Sequence, residues 1–271
     1  MLGKLMKYEW KATRRIFPLI YLVVLVFAVL SGLSMRGSFL RGAEDAVFSN
    51  ERAMALFLAV YAILIVALVI VTIVVIIHRF YQSMLSQEGY LTHMLPVKKW
   101  QQIVSKLLMA FIWMVLAVIV IVISVAILFG MTGGFSIILQ NLDWKELFQN
   151  IGMNTAEFIL LIVLFVVGVV RSILQLYAAM AIGGSANAHK VAYSFLAYIV
   201  IAICTNIISV ICGIGMLNNM SMTVYEYSST LPTVSSLWVP SIILNLCISV
   251  VLFILTEYFL RKKFLSKIYR F

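Results

Sequence analysis

The sequence predicts an all-α integral membrane protein, with six transmembrane helices and an N-terminal amphipathic interfacial helix. Three observations lead there. Of the 271 residues, 64% are hydrophobic and 11% charged, whereas a soluble domain carries about a quarter of its residues charged to keep its surface wet. The apolar residues fall in six runs, each longer than the ~20 residues that a helix needs to cross a ~30 Å hydrocarbon core. The basic residues collect just outside those runs, mostly on one side.

The runs are Ile16–Met35, Ala53–Ile77, Ile103–Thr132, Ala156–Ile182, Val191–Leu217 and Leu237–Leu260. They must be helical, because an open backbone in lipid leaves its N–H and C=O groups unpaired. Lys4, Lys7, Lys11, Arg14 and Arg15 precede the first run. Arg79, Lys98, Lys99 and Lys106 flank the second-to-third link, Lys190 lies in the fourth-to-fifth, and Arg261, Lys262, Lys263, Lys267 and Arg270 form the tail. These fifteen share one side. Only Arg36, Arg41, Arg52 and Lys145 fall on the other, among acidic residues. The positive-inside rule then places both termini in the cytoplasm of a multi-pass plasma-membrane protein. Trp10 and Trp100 near inner boundaries, with Trp144 and Trp238 near outer ones, fit an aromatic belt. The first run exceeds the 7–15 residues typical of a signal-peptide core, so it is expected to be retained as a span.

In the N-terminal arm (residues 1–15) the basic residues share one helical face, while Leu2, Leu5, Met6 and Trp10 cluster on another. Such a helix lies in the membrane interface before turning into the first span. The net charge of +10 does not point to nucleic acid, because it sits where anionic lipid lies. No G-x-x-x-x-G-K-[ST], H-E-x-x-H or G-x-S-x-G sequence occurs. His78, His93 and His189 have no ligand partners at metal spacing, and Cys204, Cys212 and Cys247 sit inside apolar runs as small hydrophobes. No cofactor is expected on this chain.

Arg171 stands out, well inside the fourth run. An Arg at that depth costs about 2.5–3.5 kcal/mol or more, so it should face the bundle, a cavity or a partner. It either lines a substrate path, with Gln175 one turn on, or snorkels inward or bonds backbone carbonyls of a neighbouring helix. In the fifth run Ala202, Asn206, Ser209 and Gly213 recur on one face, as helix packing requires or as a dimer seam or conduit would use. Arg171, Gln175, Asn206 and Ser209 are therefore the candidate path or seam residues.

The second-to-third link, residues 78–102, is too polar to cross and too apolar for a free loop. Its Met84, Leu85, Leu91, Met94 and Leu95 need a cover, either a partner protein or the membrane surface. Here Glu88–Val97 (EGYLTHMLPV), followed by Ser105–Leu108 (SKLL), resembles the corresponding link of bacterial type-two ABC exporter permeases. Ala181–Tyr198 (AIGGSANAHKVAYSFLAY) is similar to that family's fourth-to-fifth turn, except that members often carry a bulkier polar residue where Gly184 stands. The likeness covers the chain as one permease domain, residues 1–271. It implies a dimer with a second copy or a paralogous permease, docked on cytoplasmic ABC ATPase subunits that hold ATP and Mg. On this reading the coupling residues are Met84, Glu88, Gly89, Tyr90, Leu91 and Pro96. It also implies short re-entrant helices in the outer loop 218–240, broken at Pro232 and Pro240. The expected activity is export of a hydrophobic or amphipathic cargo, such as a peptide, lipid or drug. The alternatives are a membrane-embedded hydrolase or transferase, or a non-transporting scaffold or sensor.

Overall fold

A computed structural model describes residues 2–13, 17–40, 51–85, 99–131, 155–185, 189–226 and 235–268. Seven α-helices run through them: α1 Leu2–Thr13, α2 Phe17–Leu40, α3 Glu51–Phe80, α4 Lys99–Met131, α5 Thr155–Gly184, α6 Lys190–Glu226 and α7 Ser235–Ile268. A π-helical turn, Tyr81–Leu85, prolongs α3. All but α1 are long and apolar enough to cross a bilayer. Among the described residues there is no strand. The chain is thus an α-helical, multi-pass membrane protein.

The chain divides into two compact units: Met1–Ile76 with Leu108–Phe148, and Ile77–Leu107 with Gln149–Phe271. In the first, Val24 and Ala28 of α2, Tyr61 and Leu68 of α3, and Ala117 and Leu128 of α4 form one buried cluster. Lipid tails are as apolar as these side chains, so close contact and interhelical hydrogen bonds hold the helices together, rather than escape from water. Tyr61 and Ser124 share a hydroxyl–hydroxyl bond of 2.8 Å across α3 and α4. The Tyr21 hydroxyl donates to the Trp113 carbonyl at 3.3 Å.

Trp113 also fastens α1. Its ring stacks on Trp10 at 5.0 Å and on Phe17 at 4.1 Å, and its indole N–H donates to Thr13 Oγ1 at 3.1 Å. Such ring pairs contribute about 0.5–1.5 kcal/mol each beyond the area they cover. Met6 packs on the same cluster, while Lys7 and Lys11 are exposed. The arm is helical from Leu2 to Thr13; Met1, Arg14 and Arg15 lie outside the described residues.

In the second unit α5 packs along both α6 and α7, which meet each other only briefly. Leu174 and Ala178 of α5 and Leu252 of α7 form its apolar centre. Glu157 lies in the first turn of α5, where a carboxylate meets the positive end of the helix dipole. At the other end, Gly183 lets α5 meet the backbone of Ser194 in α6: a Cβ there would collide with the Ser194 amide nitrogen and Cα. His189, just before α6, takes a φ of 49°, and its carbonyl accepts the Tyr193 N–H at 3.1 Å.

Pro240 does not break a short helix but lies inside α7. As the sixth residue of α7 it removes one bond of the backbone ladder, the one to the Ser236 carbonyl, and the helix continues through it. Residues 218–226 continue α6, and Pro232 lies outside the described residues.

Candidate functional site

Two places in the second unit combine polar chemistry with close packing. The first lies within the span Glu157–Gly184. Arg171 sits about 20 Å from either end of it, at 1.5 Å per residue. Its guanidinium meets α7. There Nη1 donates to Oδ1 of Asn245 at 2.5 Å. Asn245 is itself fixed: its Nδ2 donates to the Ser241 carbonyl at 2.8 Å, and Ser249 Oγ donates to its carbonyl at 2.7 Å. The amide nitrogen being engaged, its oxygen is the end turned to Arg171.

Among the described residues the partner of the Arg171 head is this side-chain amide, at mid-span. Among the described residues no hydrogen bond joins Arg171 to Gln175, Asn206 or Ser209. Gln175 is half-buried, and Asn206 is exposed on α6, the least covered of the six spans. Ser209 turns its hydroxyl back to the Thr205 carbonyl at 2.8 Å, so its polarity is met within its own helix. Asn245 escaped the sequence reading. It is the sole amide side chain of the run Leu237–Leu260, and a search for a partner to the buried Arg would have found it.

The second place is the base of the link. Phe80, the last residue of α3, stacks on Tyr177 of α5 with centroids 4.1 Å apart and planes 17° from parallel. The Tyr177 hydroxyl donates to the Lys106 carbonyl of α4 at 3.2 Å. Met84, Gln102, Ile103 and Ser105 are buried around this contact. Both stems of the link are therefore rooted on α5. Met84, a coupling residue on the resemblance and in need of a cover, is only 4% accessible and so is covered by the protein itself. The helices also claim both ends of the expected link, narrowing it to 86–98. Glu88, Gly89, Tyr90, Leu91 and Pro96 fall in that stretch, outside the described residues.

Among the described residues no three His, Cys, Asp or Glu side chains gather to hold a metal. The Arg171 site can bind and orient an anion; the link base can transmit a displacement. Compared with protein-family models, curated proteins and solved structures, the chain matches none, and its six long apolar helices make it a multi-pass membrane protein.

Proposed function

We propose that this chain is the membrane-spanning permease subunit of an ATP-driven ABC exporter in the plasma membrane, with both termini cytoplasmic. ATP and Mg are held by a separate ATPase chain, and a second copy or a paralogue completes the translocation path. The observation that carries this reading is the rooting of both link stems on α5 through Phe80, Tyr177 and Lys106. A segment docked on a motor must not flex at its base if it is to move anything. Here an aromatic stack and a hydrogen bond tie both stems to the helix that holds Arg171, so a push on 86–98 displaces stems and α5 as one body. The likeness of EGYLTHMLPV to the exporter link and the excess of basic residues on the link side support the same assignment.

The cargo is hydrophobic or amphipathic, since the spans are poor in charge. Nothing in the basic clusters calls for nucleic acid; their partner is the lipid surface. The test is purification from native membranes in mild detergent. A stand-alone ATPase should accompany the chain and hydrolyse ATP, while the chain freed of it should not. Hydrolysis by the isolated chain, or native preparations with no ATPase, would contradict the proposal.

A further inference from the structure

Among the described residues no hydrogen bond joins Arg171 to a carboxylate. Asn245, the acceptor it meets among the described residues, is neutral and orients the guanidinium without compensating it. The acids of the two helices stand far off along their axes: Glu157 is about 21 Å of helical rise from Arg171, and Glu257 about 18 Å from Asn245. A guanidinium has five N–H donors in a planar fork that fits a carboxylate or a phosphate two at a time. Asn245 engages one.

There is also room. Gly168 lies one turn before Arg171 on the same face of α5, on the side toward which the arginine leans. A Cβ built on Gly168 would meet nothing within 4 Å. The position beside the guanidinium is thus open, while Phe165 and Val166 of the same stretch are exposed apolar surface suited to an alkyl chain.

We infer that Arg171, aimed by Asn245 and left accessible by Gly168, binds the anionic head, carboxylate or phosphate, of an amphipath that reaches it through the bilayer. That this ligand is cargo rests on the export reading; the binding does not. Arg171 is the binding residue and Asn245 a positioning residue. A lysine keeps the charge but loses the fork, so Arg171→Lys should bind more weakly than the native chain and better than Arg171→Gln.

The experiment uses the full chain in phosphatidylcholine nanodiscs, with palmitate, hexadecyl phosphate and hexadecanol as probes of one chain length. The two anions should bind about tenfold tighter than the alcohol or more. Arg171→Gln should erase that preference. Gly168→Leu should weaken anion binding while thermal stability is kept, because it fills the space and leaves the charge. Equal binding of the alcohol, or undiminished anion binding by Arg171→Gln, would overturn the inference. So would inorganic phosphate competing as well as hexadecyl phosphate, since the site would then open to water and not to lipid. No ATPase enters this assay, so its result stands apart from the fate of the exporter proposal.

Discussion

In the unit built from Met1–Ile76 and Leu108–Phe148, the polar bonds between helices join neutral groups: Tyr61 with Ser124, Tyr21 with the Trp113 carbonyl, and the Trp113 indole with Thr13. In the other unit a guanidinium at mid-span is held by an amide. Neutral pairs glue helices in lipid at small cost, because each partner satisfies the other and no charge is desolvated. A cation held by a neutral acceptor gives up hydration without recovering it from a counter-charge. The first arrangement is what packing selects. The second is a poor way to hold two helices together, and it makes sense as a site kept for something that arrives.

Substitutions can break this contrast. The largest loss of stability is expected for Trp113→Ala, which removes two ring stacks and the hold on α1; about 3 kcal/mol is appropriate to deleting so large a packed side chain. Thermal unfolding in detergent would report the loss, and limited proteolysis would show α1 released. Next come the two close glycines. Gly183→Ala drives a methyl into the backbone of Ser194, where nothing can yield without parting α5 from α6, and should cost about 1–3 kcal/mol. Gly32→Ala meets the Met131 Cβ at 2.9 Å and Sδ at 3.0 Å; the sulfur can swing aside but the Cβ moves only with the α4 backbone, so the loss should be about 1–2 kcal/mol.

The smallest effects sharpen the contrast most. Tyr61→Phe should lose about 0.6 kcal/mol, the usual worth of a hydrogen bond between spans. Arg171→Leu removes a half-buried charge from the span, so stability should stay level or rise. Export should nonetheless fall, and Arg171→Lys should retain more of it. A large drop in unfolding temperature for Arg171→Leu would instead make Arg171 a structural strut and dissolve the distinction between the units.

Much of the fold was legible in the sequence. Run length alone located the six spans, and Ala53–Ile77 lies within α3, Glu51–Phe80. Hydropathy could not reveal which spans touch. A helix surrounded by lipid is apolar all round and shows no stripe to mark its neighbour, so the contacts of Arg171 with Asn245 and of Phe80 with Tyr177 were invisible. The ends of the link misled for a related reason. Gln102 read as polar and fell to the link, yet protein packing buries it within α4. Pro240 read as a breaker, yet α7 continues through it. What the sequence did offer at the site was the anomalous charge itself.

The central claim is that a motor docks on residues 86–98 and that the stems carry its motion to α5. ATP hydrolysis by the copurified complex, compared across three variants, tests it most directly. Glu88→Lys places a like charge where an unlike partner is met, and Leu91→Asp spoils an apolar contact; both should leave the spans inserted and reduce ATPase recovery about tenfold. Phe80→Ala lies behind the docking surface, so ATPase should still copurify, with hydrolysis no longer responding to added amphipath. If Glu88→Lys and Leu91→Asp recover the ATPase as fully as the native chain, and Phe80→Ala keeps the response, the link is not the coupling element and the account is contradicted.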